Sequence, residues 1–401
     1  MSVFVLLFLV LFSIYKAKKV NDAFYPLAIY SVPFLIQYLV YIYMYKNNNP
    51  VSDKTIAIYI SSILFFVIPY LFFEYVFTNL KATQIDKNVV MSISTLKILS
   101  IITIGVMFIN LGAGILTQGL DNVYRTMRYQ LNYGGGMSLL STYLPVVYDA
   151  YFVFWLINII ERHEVNKNRH HILLYSFVFF LVAFLSFSRT NLLMALCAFI
   201  YCMLCHQRES ARTKRKKSVW GRIAIVAASV VIIKLFSWIA DATHKTGNVE
   251  WNSPDNYFWK YLGYPLVTMD KYVVTHPSIT SGTYTLGIFG KVLKSIGLIK
   301  TGDTSVLPGT GQFNVFSYIG NVYLDFGNFY FIAQMVIAMI VAYIYVQNRK
   351  NGGIWSVMYA FYSYAVFISF YSLQYSLTLF IYLFIVLCLI KTISKKSQSE
   401  N

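Results

Sequence analysis

ILLYSFVFFLVAFLSFSRTNLLMALCAFIYCMLC, residues 172–205, is one apolar stretch of 34 residues, interrupted only around Phe187-Ser188-Arg189-Thr190-Asn191. As a single helix it would measure about 51 Å, too long for one crossing of a hydrocarbon core about 30 Å thick. A tight helical hairpin turning at Arg189 resolves the mismatch and yields two crossings, 172–187 and 190–205. The same reading extends to the rest of the chain. Apolar runs near bilayer length recur at 1–15, 24–44, 57–77, 97–116, 139–160, 223–240, 322–346, 354–373 and 375–392. The fold class expected is therefore all-α: a polytopic integral membrane protein of about eleven transmembrane helices, a single membrane domain over 1–401.

Composition agrees. The 401 residues are 57% hydrophobic and only 12% charged, with a mean hydropathy of +0.57, too little polar surface for a soluble domain. The net charge of +17 does not signal nucleic acid, because the lysines and arginines fall in short patches between apolar runs. The densest patch, Arg208, Arg212, Lys214, Arg215, Lys216, Lys217 and Arg222, reads as a basic cytoplasmic loop over 206–222, beside anionic lipid. With that loop inside, alternation also puts Lys16/Lys18/Lys19, Lys81/Lys87/Lys97, Arg162/Lys167/Arg169, Arg349/Lys350 and Lys391/Lys395/Lys396 inside. A single 172–205 span would put two of these groups on the wrong face. The expected topology is N-terminus out and C-terminus in. The apolar run after Met1 lacks a basic n-region and a small-residue cleavage site, and reads as a retained first helix. Cys197, Cys202, Cys205 and Cys388 lie in apolar helices without disulfide or zinc spacing, as small buried hydrophobes.

Three features then face outward: an outer loop at 117–138, the Arg189 turn, and a large extracytoplasmic loop at 241–321. In the last, Tyr257, Phe258, Trp259, Tyr261 and Tyr264 cluster. Leu286, Phe289, Val292, Leu293 and Ile296 follow helical spacing, with Lys291 and Lys294 off the stripe. That pattern predicts an amphipathic helix in the outer interface, as a surface support or as one wall of a lipid-linked substrate groove.

Arg189 carries the most chemical information. A guanidinium between two apolar helices is costly unless it snorkels or meets an anion, and its planar fork suits phosphate oxygens. Arg125 and Arg128 are two further outward cations, three apart on one face if that segment is helical. Gly134-Gly135-Gly136 follows and permits close backbone approach or a flexible connection; it lacks the Lys-Ser/Thr of a P-loop. The outward acids and histidines are Asp241, His244, Glu250, Asp255, Asp270, His276, Asp303 and Asp325. They contain no metalloprotease or hydrolase signature, and no metal or cofactor is expected. Asp325 reads as opening a membrane helix, where an acid complements the helix dipole or caps amides. Glu74 and Asp149, inside apolar helices, read as partners of Tyr or Lys groups.

Ser188-Arg189-Thr190, Tyr261-Leu262-Gly263-Tyr264-Pro265, Gly282-Thr283-Tyr284-Thr285-Leu286-Gly287 and Phe313-Asn314-Val315-Phe316…Tyr323-Leu324-Asp325-Phe326-Gly327 occur in an order that resembles the Wzy-type oligosaccharide repeat-unit polymerases. The helix layout with its large outer loop is similar too. The family's usual small residue after the Asp-Phe-Gly is Asn328 here. The resemblance implies a GT-C-like, metal-independent glycosyltransferase of the bacterial plasma membrane. It would move a growing glycan from undecaprenyl diphosphate onto a new lipid-linked unit, without a nucleotide sugar. Membrane lipids, a flippase and a chain-length regulator are the implied partners. Catalytic roles are expected of Arg189, Asp325 and His276. Substrate contacts are expected of Arg125, Arg128, Tyr261, Tyr264 and Lys271, the cations serving the diphosphate leaving group and the tyrosines the sugar rings. An O-antigen ligase-like enzyme shares the donor chemistry. A transporter or flippase for lipid-linked glycans is the other class, though no internal repeat supports it.

Overall fold

The structure, a computed structural model, describes residues 2–80, 91–133, 139–186, 189–212, 253, 256–271, 282, 285–286, 288–298, 315–372, 382–390 and 392. Among these residues all regular structure is helical. Five helical stretches are long and apolar enough to cross a membrane: Pro26–Tyr45, Asp53–Asn79, Ile93–Leu116, Tyr143–Glu161 and Tyr318–Asn351. Three shorter apolar helices, Arg169–Leu185, Thr190–Leu204 and Ile354–Ile368, accompany them. The expected 223–240 helix and His276 lie outside the described residues. The chain divides into two compact units: residues 1–82, 246–350 and 365–381, and residues 83–245, 351–364 and 382–401.

In the first unit, α1 (Ser2–Lys19) and α2 (Pro26–Val40) pack as a pair. Their connection turns at Asn21, which takes a left-handed φ of 51°, a conformation Asn tolerates at a helix end. Phe4, Phe8, Leu11 and Tyr15 of α1 are exposed, an apolar face left uncovered by the unit. α3 (Asp53–Asn79) runs antiparallel to α2: Tyr59 donates to the Phe34 carbonyl at 2.9 Å, Tyr30 stacks on Phe66 at 3.9 Å, and Tyr25 donates to Glu74 at 2.8 Å. Glu74 is thus paired with a tyrosine, as its position suggested. Beyond α2 the backbone widens into a π turn, Tyr41–Tyr45.

The second half of this unit contains α8 (Tyr257–Met269), α9 (Ile288–Ser295), α10 (Tyr318–Phe326) and α11 (Tyr330–Asn351). α11 lies parallel to α3. Tyr330 and Ser61 hydrogen-bond at 2.7 Å near one end. Near the other, Phe77 meets Tyr343 at 5.3 Å, and Lys350 donates to the carbonyls of Phe77 and Leu80 at 2.7 and 2.5 Å. Those carbonyls are among the orphans every helix leaves at its C-terminus, so Lys350 closes α3. Asp22 accepts from Tyr345 at 3.1 Å at the same end. The residues around 16–25, 74–80 and 345–350 therefore share one end of the unit, in keeping with the common side that charge alternation assigned them.

The second unit contains α4 (Ile93–Tyr133), α5 (Leu139–Glu161), α6 (Arg169–Leu185) and α7 (Arg189–Arg212). α5 is central, buried almost continuously from Tyr148 to Ile160. Tyr151 donates to the Ser92 carbonyl at 3.0 Å and Tyr148 to the Tyr175 carbonyl at 3.1 Å, tying α5 to its neighbours. The apolar 172–205 stretch does break: α6 ends at Leu185, α7 begins at Arg189, and the two pack together, Phe180 against Phe199 at 5.4 Å. The 117–138 segment begins as helix, because α4 continues without interruption to Tyr133. Asp149 of α5 is buried, and among the described residues its Oδ1 finds no hydrogen-bond partner, unlike the paired state expected of it.

Candidate functional site

The apolar run expected as one helix over 322–346 is two helices. α10 starts at Tyr318 and is buried on every side from Tyr318 to Asp325. It stops at Gly327, whose φ of 54° and ψ of −130° suit glycine rather than a residue with a side chain. A single turn, Gly327–Phe329, leads into α11. Hydropathy could not show this break, since both sides are apolar and the change lies in backbone dihedrals.

The break corrects the reading of Asp325. Asp325 does not open a membrane helix; it sits in the last turn of α10. Negative charge at a helix C-terminus opposes the macrodipole, so dipole complementation is not its role. The carboxylate is about 1% exposed, and its Oδ2 accepts the backbone N–H of Thr285 at 2.6 Å. Thr285 is itself buried and belongs to a turn in which the Leu286 N–H reaches the Gly282 carbonyl at 2.9 Å. The large loop between the two halves of the unit thus delivers a main-chain donor to an acid held inside the helical unit.

α8 is set in place by both ends. Asn256 accepts from the Phe258 N–H at 3.0 Å and caps its start. After its end, Asp270 Oδ1 takes the hydroxyls of Ser52 and Thr55, each at 2.5 Å, and the Ser52 N–H at 3.2 Å. Asp270 therefore caps α3 from another part of the chain, with its charge where the helix dipole favours an anion. Between these ends Gly263 faces the π turn. A Cβ there would lie 2.8 Å from the Tyr45 ring and 2.9 Å from Val40, so only glycine permits the approach. Gly320 of α10 faces Met269 of α8 in turn.

The two tyrosines expected to meet sugar rings are packed on protein rings: Tyr261 edge-on to Tyr371 at 5.1 Å, and Tyr264 edge-on to Tyr45 at 5.4 Å with Lys260 over its face at 5.8 Å. Lys271 is exposed just past α8. Arg125, Arg128 and Arg189 belong to the second unit and have helical backbones, the first two on the α4 extension. Their side chains, like all of His276, are outside the described residues. Of the expected apolar stripe around α9, Val292 and Ile296 are exposed.

Sequence reasoning missed the polar spine beneath α10. Tyr30 donates to Tyr318 at 2.5 Å, and Tyr318 donates to Gln334 Oε1. Gln37 Nε2 donates to the Phe370 carbonyl at 2.6 Å and Gln37 Oε1 accepts from Tyr59 at 2.9 Å. The signal was present: Gln37 and Gln334 are lone amides in apolar runs, and polar groups in membrane interiors are costly enough to mark function or specific packing. Among the described residues no group of three or more His, Cys, Asp or Glu is placed to hold a metal.

The fold and this site define an all-helical protein with apolar helices of membrane-crossing length and a buried acid at a helix break. Comparison with family models, curated proteins and solved structures returns no match for the chain.

Proposed function

We propose that this protein polymerises undecaprenyl-diphosphate-linked oligosaccharide repeat units on the outer face of a bacterial plasma membrane. The observation that carries the reading is Asp325. Its carboxylate is buried at an unfavourable helix terminus and held by the Thr285 amide. Places where a chain breaks local rules at a cost in stability are where function is expected. Two of the motifs that resemble the polymerase family also meet, the turn of Thr285 bonding Asp325, and α8, which carries a third at Tyr261–Pro265, sets Met269 at its end near Gly320 of α10.

In the reaction, a hydroxyl of the incoming lipid-linked unit attacks the anomeric carbon of the growing chain. The bond from that carbon to the diphosphate oxygen breaks, and its electron pair leaves with the lipid diphosphate. Asp325 takes the proton of the attacking hydroxyl. The leaving diphosphate calls for preorganised cations, the role that the resemblance in sequence gives to Arg189 with Arg125 or Arg128. A flippase supplies the lipid-linked unit, and a chain-length regulator acts on the product.

Deleting the gene and sizing the surface polysaccharide tests this. Single repeat units on an otherwise normal anchor support polymerisation. Loss of attachment would make the protein a ligase, and lipid-linked units trapped inside the cell would make it a flippase.

A further inference from the structure

α10 is buried all round, yet one of its faces is polar. Tyr318, Asn321 and Asp325 recur at the i, i+3, i+7 spacing of a single helix face. The polar groups at its two ends are incompletely bonded. At the start, the Ser317 hydroxyl makes no cap to the helix, and among the described residues neither it nor Gln334 Nε2 has a hydrogen-bond partner, although both residues are at most 1% exposed. At the finish, Thr285 donates its amide to Asp325 while its own buried hydroxyl is unpartnered among the described residues. Buried polar atoms are nearly always hydrogen-bonded in folded proteins. Three exceptions around one short helix, from its N-cap, from α11 and from the turn at Thr285, beside a buried acid, call for a ligand that brings both donors and acceptors.

We propose that this face of α10 is a binding subsite for sugar hydroxyls, with Ser317, Gln334 and Thr285 as its specificity-determining contacts. The inference rests on the polymerase reading and deepens it by assigning residues that hold the glycan beside Asp325. Tyr318 and Asp325 are separated by roughly 10 Å of helix rise, the reach of a short oligosaccharide. A sugar hydroxyl both donates and accepts. It can therefore take the Gln334 N–H as donor while giving its proton to a Ser or Thr oxygen. An apolar lipid tail could do neither, and a diphosphate would need cations that this face lacks among the described residues.

The unpartnered state of these atoms makes a clean test possible. Ser317→Ala and Thr285→Val each remove a hydroxyl that bonds nothing among the described residues. The fold should lose no hydrogen bond, and unfolding midpoints in detergent should stay level or rise. The probe is the repeat-unit oligosaccharide released by mild acid from lipid-linked units of cells lacking this gene, titrated by the thermal stabilisation it confers. Wild type should be stabilised. Each variant should bind about tenfold more weakly, the effect of losing roughly one hydrogen bond, and the pair together more weakly still. Ser61→Ala, which breaks an inter-helix bond away from α10, should lower the midpoint without changing affinity. Wild type that ignores the saccharide, or variants that bind it equally well, would overturn the subsite and leave these atoms to buried water only. The polymerase reading fails separately, if wild type binds the saccharide but never joins lipid-linked units.

Discussion

Asp325 has two separable jobs in this account, and two substitutions pull them apart. Asp325→Ala leaves the Thr285 N–H buried without its 2.6 Å acceptor, and an orphaned buried donor costs about 1–3 kcal/mol. Asp325→Asn is nearly isosteric and keeps an oxygen to accept that amide. It exchanges a charge-assisted bond for a neutral one and should cost only about 1 kcal/mol. Stability therefore ranks wild type, Asn, Ala. Activity should rank differently, because neither variant can accept a proton: both should lose about 10²–10⁴-fold if Asp325 is the general base. The assay is in vitro polymerisation of lipid-linked repeat units at matched membrane expression, with unfolding midpoints measured on the same preparations. An Asn variant within a few-fold of wild type would refute the base assignment. Activity that merely tracked the midpoints would reduce Asp325 to a scaffold residue.

Three further outcomes are expected. Arg189→Lys should stay strongly impaired in polymerisation, since lysine keeps the charge but not the planar fork; near-normal activity would leave Arg189 as a snorkelling anchor. Gly263→Ala should destabilise the first unit by about 1–3 kcal/mol through overpacking, because the new Cβ meets the Tyr45 ring at 2.8 Å; an unchanged detergent unfolding midpoint would contradict the close approach. In a chain freed of native cysteines, a cysteine at Asn48 should label from outside the cell and one at Glu164 should not, and the reverse pattern would invert the topology.

The parts of this structure that were legible in the sequence are those set by length and local pattern. The hairpin at Arg189 follows from comparing 34 apolar residues with a bilayer, and α6 and α7 separate there. The aromatic cluster at 257–264 stood out, but not its helix, Tyr257–Met269, nor the engagement of its tyrosines by Tyr371 and Tyr45, partners that sequence spacing does not reveal. Asp325 stood out as an acid beside an apolar run, but its setting did not. The Gly327 break is a matter of dihedrals inside uninterrupted hydropathy, and the Thr285 contact spans 40 residues. Asp270 looked like one loop acid among many, because its role as cap of α3 depends on residues 218 positions away.

The parallel seating of α11 on α3 has a consequence for biosynthesis. Ser61 and the carbonyls of Phe77 and Leu80 enter the bilayer early, whereas Tyr330 and Lys350, which bond them, are translated about 270 residues later. At elongation rates of about 5–20 residues per second that delay is on the order of tens of seconds. Residues 83–245, most of the other unit, are synthesised in the meantime. A nascent chain cut short before Tyr318 would hold the first three helices with their polar seams unclosed. Such a fragment is a natural substrate for membrane insertases that shelter incomplete helices, and for the proteases that remove them.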